Sequence, residues 1–324
     1  MAGYRGGSIK DGGYDVPVPG TIRSHGAWFE GYYDHEKHKN LNPQGGPDNN
    51  PTRRLTTTGV MAGADVGQFT TGQYLRGFQV GILGGHNIAR ARFTDTTSLR
   101  TDDADTQLTR STNQRQDVEG SFAGAYATMV HGRFSADAVV KVDFYDIEQS
   151  SIDTRIGCGT PAINRLDVAS GTNVAVASNL NYRFDLSNSH YIEPTVGMRY
   201  THVDYGTGAG TLGFRDGDIF RVQGGLRFGM RQFGATGWIW NTSLAGLLYS
   251  DVSMSGLVVP AITASNGAII PATPLVDEGK LRVMGVLESR VQVGNGYTFY
   301  GAAEVRGGED VVGYGGRLGV RLQW

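Results

Sequence analysis

The chain has a single cysteine, Cys158, among 324 residues, so no intramolecular disulfide framework braces it. It contains no run of about eighteen apolar residues, which excludes a membrane-spanning helix. A net charge of −2 gives no overall pull toward nucleic acid, and none is expected as a partner. The histidines (His25, His35, His38, His86, His131, His190 and His202) show no His-x-x-x-His spacing, and paired cysteines are absent from the sequence. Neither a metal nor any other cofactor is therefore expected. The glycine-rich GTGAGTLGFRDG at 206–217 is not followed by Gly-Lys-Ser/Thr and reads as a loop, not a phosphate cradle.

What the chain does contain is glycine, 49 residues, and strict alternation. In the closing segment GGRLGVRLQW, Leu318, Val320, Leu322 and Trp324 share one parity, while Arg317, Gly319, Arg321 and Gln323 share the other. Successive strand side chains point to opposite faces, so this segment has one apolar and one charged face. Such a strand suits lipid on one side and a polar lumen on the other. A closed β-barrel is the one architecture besides the helix that satisfies every backbone group inside a bilayer, and its hydropathy per strand is weak.

Period-two alternation predicts strands near 25–35, 56–67, 75–88, 117–130, 133–147, 173–184, 190–203, 219–231, 237–249, 280–293, 297–306 and 312–324. Short links rich in Gly, Asn, Asp or Ser alternate with long ones at 36–55, 89–116, 148–172, 204–218 and 250–279. This reads as an all-β, transmembrane, up-and-down antiparallel barrel of about twelve strands in a bacterial outer membrane, with long loops extracellular and both termini periplasmic. Residues 1–23 form an irregular periplasmic tail and 24–324 the barrel. No signal-peptide apolar core is present, so the sequence is taken as a mature form. Within the longest link, VVPAITASNGAIIPATP carries a hairpin signal at Asn266-Gly267.

Charges keep to the polar parity, as a costly lipid-facing charge demands. Acids are expected to line the lumen early, at Glu30, Asp34, Asp65, Glu119, Asp137 and Asp143. Arginines do so later, at Arg199, Arg221, Arg227, Arg231, Arg282, Arg290, Arg317 and Arg321. Closure sets Arg317 and Arg321 against Glu30 and Asp34 across the seam. The arrangement gives either a transverse field that filters polar solutes or, more simply, an ion-pair network that fills a narrow lumen. The outward faces offer no Ser/His pair with an orienting amide, as a barrel lipase would require, so the chain is read as non-enzymatic.

The run TTTGVMAGADVGQFTTGQYLRGFQVGILGGH at 56–86 resembles the second and third strands of the autotransporter β-domain. Segments YIEPTVGMRYTHVDY at 191–205 and FYGAAEVRGGEDVVGYGGRLGVRLQW at 299–324 resemble its seventh strand and closing hairpin. The resemblance implies a barrel embedded in outer-membrane lipid that assists export or surface anchoring of an N-terminal passenger. It also implies that Trp324 matches the terminal aromatic read by the barrel-assembly machinery. Two other readings stay open on the residues alone. One is a stand-alone, porin-like pore for small polar solutes, suggested by the charged lumen. The other is a structural surface barrel, suggested by the long polar links.

Overall fold

The computed structural model describes residues 25–38, 52–70, 76–100, 107–156, 163–187, 189–206, 216–234, 237–255, 262–263, 269–270, 280–293, 296–309 and 311–324. Among these residues there are twelve long strands: β1 (Gly26–His38), β2 (Thr52–Thr70), β3 (Arg76–Arg100), β4 (Gln107–His131), β5 (Phe134–Ile156), β6 (Ile163–Tyr182), β7 (His190–Tyr205), β8 (Gly217–Phe233), β9 (Ile239–Ser255), β10 (Arg282–Val293), β11 (Tyr297–Gly307) and β12 (Val311–Gln323). Each pairs antiparallel with the next, and β12 returns to pair with β1 from Gly26↔Gln323 to His38↔Val311. The sheet is thereby a closed barrel, and no helix occurs among the described residues.

The wall has its polarity inverted relative to a soluble protein. Leu318 on β12 is 75% exposed, whereas Glu30 on β1 is 1% exposed. Exposed apolar side chains form an outward band on every strand, among them Phe29, Ile82, Val140, Val196, Leu226, Leu244, Leu287 and Phe299. Short links are made as expected. His131 pairs with Phe134 across a two-residue turn whose first residue, Gly132, has φ +62°, a conformation that glycine adopts without steric cost. Pro194 in β7 lacks an N–H, and it falls in the gap between the Asn181↔Thr195 and Phe184↔Ile192 pairings, where no ladder bond is required of it on that side.

Two expectations are corrected. The links at 89–116 and 148–172 are largely strand, because β3 runs to Arg100, β4 starts at Gln107, β5 runs to Ile156 and β6 starts at Ile163. Sequences such as FTDTTSLR carry no alternation, although their backbones pair in full from Thr94↔Asn113 to Arg100↔Gln107. In the longest link, Ile262↔Ile270 and Thr263↔Ile269 form a separate two-stranded piece, while Asn266-Gly267 lies outside the described residues. Residues 1–23 and Cys158 also lie outside them.

Glycines on the inner wall provide room for long side chains to lie flat. A Cβ on Gly63 would sit 2.4 Å from the Trp28 ring, and one on Gly81 would sit 2.2 Å from Cζ of Tyr126. Trp28 and Tyr126 therefore reach toward each other over the two intervening strands. Gly81→Val is expected to displace the Tyr126 ring and lower stability by about 1–3 kcal/mol, the usual cost of overpacking. Denaturant unfolding of the variant in detergent micelles measures this, and an unchanged midpoint would contradict it.

Candidate functional site

The candidate site is the lumen, because the inward parity gathers most of the chain's membrane-level charge. Glu30 and Asp34 project inward from β1, Asp65 from β2, and Asp137 and Asp143 from β5. Arg199 does so from β7, Arg221, Arg227 and Arg231 from β8, Arg282 and Arg290 from β10, and Arg317 and Arg321 from β12. Glu119 is the exception: it shares the outward parity of Ala123, Ala125 and Met129 and is exposed. Its Oε1 lies 3.1 Å from Nε2 of His86 on β3, whose Nδ1 lies 3.2 Å from Ser121 Oγ.

Some pairing inside the lumen skips a strand. Arg321 on β12 binds Asp65 on β2, passing over β1 at Gly26, where a Cβ would sit 2.5 Å from Asp65 Oδ2. Asp65 also accepts a 2.6 Å hydrogen bond from Tyr126, whose hydroxyl in turn accepts one of 3.0 Å from Trp28 Nε1. Arg306 on β11 binds Asp34 on β1 over the glycines of β12, and a Cβ on Gly315 would sit 3.0 Å from Asp34 Oδ1. The seam expectation is thus corrected for Arg321 and Asp34, whose partners are Asp65 and Arg306. Backbone register sets Arg317 opposite Tyr32 and Arg321 opposite Trp28, so a long guanidinium stem over a glycine reaches a carboxylate one strand farther on.

The remaining charges pair more locally. Arg221 grips Asp251 bidentately at 2.6 and 2.9 Å, and Arg282 adds a 3.3 Å contact from the other flank. Arg227 meets Glu193 at 3.2 Å and Arg290 meets Glu288 at 3.3 Å. Lys141 lies 2.6 Å from Asp143 and 4.4 Å from the centre of the Phe122 ring. Asn173 and Asn179 donate to Asp143 and Asp137 at 2.9 and 3.0 Å. Arg199 and Arg231 donate to Thr201 and Asn241 at 3.3 and 3.0 Å.

Asp65 and Asp251 have a feature in common. Each immediately precedes an extra residue in its strand, Val66 or Val252, where the ladder shifts register. A bulge re-aims the adjoining side chain, and both bulges turn an acid toward arginine while placing valine on the exposed side. Sequence reasoning missed Asp251 because it fell in the presumed link 250–279. It missed Trp28 and Tyr126 because an inward aromatic carries no charge signal. Facing glycines on the next strand are the mark that would have found them.

Among the described residues, small cavities lie between the lumen side chains. Glu30, Asn87, Lys141, Glu304 and Arg317 border a cavity of about 80 Å³, and Asn179, Arg199, Arg221, Tyr249 and Arg306 border one of about 30 Å³. Such volumes hold a few water molecules. Among the described residues no cluster of three His, Cys, Asp or Glu side chains forms a metal site. At the outer rim, hydrogen bonds from Tyr200 and His202 hold the Asp218 carboxyl below the usual carboxylate range. Removing one member of a buried pair leaves the other charge uncompensated. Asp65→Leu is accordingly expected to cost about 3 kcal/mol, and Glu119→Gln, on the outer wall, under about 0.5 kcal/mol. Equal midpoints for the two variants in denaturant unfolding would contradict the assignment of inner and outer walls.

The fold has known counterparts. No curated protein matches the sequence. Solved structures similar to the chain include the β-domain of the Bordetella autotransporter Brka, at 16% identity and TM-score 0.62, covering 93% of this chain and 99% of that one. The transport unit of the autotransporter AIDA-I from Escherichia coli matches at 11% identity and TM-score 0.56, covering 95% and 93% respectively. The translocator domain of NalP from Neisseria meningitidis matches at 15% identity and TM-score 0.54, covering 94% and 90%. At such identities these likenesses speak for the fold alone, but the autotransporter β-domain model matches the sequence itself over residues 27–304, from β1 into β11, and the protein belongs to that family.

Proposed function

We propose that the barrel is a translocator unit that exports, or anchors at the cell surface, a segment attached to its N-terminus. Family membership implies a bacterial outer membrane. The observation that carries the reading is the position of the strand ends. Gly26 pairs with Gln323 at the short-link end of the barrel, so a segment preceding β1 begins at the mouth where the chain also ends. Short links face the periplasm in barrels of this kind, and a preceding segment therefore starts at the periplasmic mouth with the lumen as its route outward.

Two partners follow from the same reading. Outer-membrane lipid meets the exposed apolar band, and the barrel-assembly machinery reads the terminal aromatic. Trp324 is exposed, and its backbone N–H donates to the His25 carbonyl at 3.1 Å, which holds the aromatic at the short-link rim beside the seam. The porin-like alternative differs in needing no attached segment. The structural-barrel alternative differs in having no cargo.

An epitope fused ahead of Met1 tests the proposal in intact cells. Surface labelling of the epitope is expected from a folded barrel, and Trp324→Ser is expected to reduce the amount of folded barrel in the membrane several-fold. A folded, membrane-inserted barrel whose epitope stays inaccessible from outside would overturn the export reading.

A further inference from the structure

The outer wall carries a row of like charges, of which Arg115 at one end already meets an acid, Asp117. Ladder register sets Lys37 of β1 opposite Arg54 of β2, Arg54 opposite Arg92 of β3, and Arg92 opposite Arg115 of β4. All four alternate with inward neighbours such as Glu36, Leu55, Ala91 and Gln116, so they project from the outer face. The three arginines are exposed and Lys37 is half-buried. With strands about 4.8 Å apart, the row spans about 14 Å. Like charges directly opposite each other destabilise a sheet, so four in succession carry a cost that an anion would remove.

Position and surroundings identify the anion. The row lies at the long-link end, just past the apolar band. On β1, Tyr33 lies beside Tyr314 on β12 with the tilted rings 6.3 Å apart, the pattern of aromatics at a headgroup boundary, and Lys37 follows four residues on. On β3, exposed Ile88 is the last apolar residue before Arg90 and Arg92. Basic side chains at this depth meet lipid headgroups, and their long stems can bend back toward them. Guanidinium groups match phosphate oxygens bidentately. The patch also has a boundary. Asp117 ties Arg90 at 2.7 Å and Arg115 at 2.6 Å, and burial, which would raise its carboxyl, is outweighed by those hydrogen bonds, so it is held below the usual range. Beyond it, exposed Glu119, Asp146 and Glu148 repel anions, which confines the site to β1–β4.

We propose that Lys37, Arg54, Arg92 and Arg115 form a binding site for the phosphate-bearing headgroup of a membrane lipid in the leaflet at the long-link end of the barrel. The proposal goes beyond the export reading and holds whichever way the barrel faces. The test has no sidedness. The full chain, folded in zwitterionic micelles, is titrated with diphosphorylated lipid A, with the same lipid after removal of both phosphates, and with inorganic phosphate, and bound adducts are counted by native mass spectrometry. Discrete adducts are expected with the phosphorylated lipid. Each exposed charge contact contributes modestly, so the combined K37Q/R54Q/R92Q/R115Q variant is expected to bind about tenfold more weakly. If that variant does not fold, Arg92→Gln alone, at the centre of the row, is expected to weaken binding about threefold. Equal binding by wild type and variant, or equal binding of the dephosphorylated lipid, overturns the proposal. Displacement of the lipid by an equimolar amount of inorganic phosphate also overturns it, because the site would then take free phosphate and not a headgroup.

Discussion

The constraint on which the structure depends is that a backbone inside a bilayer has no water to hydrogen-bond. A sheet meets it only by losing its edges, and the ladder between β1 and β12 removes them over the full length of both strands. Closure then fixes the rest. One parity of each strand faces lipid and must be apolar, and the other faces a confined interior where polar groups have to satisfy one another.

How they do so depends on glycine as much as on charge. Several long inward side chains lie along the wall. A flat glycine on the neighbouring strand makes that possible. Arg321 over Gly26, Arg306 beside Gly315, Trp28 over Gly63 and Tyr126 over Gly81 repeat the same solution. The bulges at Val66 and Val252 complete it by aiming Asp65 and Asp251 at their arginines. A barrel held in this way combines a fully paired wall with an interior of ion pairs.

Much of this was legible in the sequence. Alternation is strongest where the environment differs most between faces, so β8, with Phe220, Val222 and Leu226 against Arg221, Gln223 and Arg227, reads without the structure. Where alternation lapses the signal vanishes, and the outer halves of β3 and β4 looked like loops. Glu119 was misplaced because its outward charge meets His86, a partner on the next strand that the sequence does not reveal. Pairwise partners were not legible, because register is set by closure and a side chain crossing a glycine skips a strand. The cationic row on β1–β4 was hidden for the same reason: Lys37, Arg54, Arg92 and Arg115 are far apart in sequence and join only through four ladders.

The seam offers the most direct test of the whole account. Gly31 and Leu318 face each other across it on the outer wall, and paired strand positions lie within disulfide reach. In a Cys158→Ser background, cysteines at 31 and 318 are expected to form a disulfide in the folded protein, linking the first strand to the last. Cysteines at 31 and 314, displaced along the seam, are expected to stay reduced. A folded protein that fails to link 31 to 318, or links both pairs alike, would contradict a closed barrel in this register.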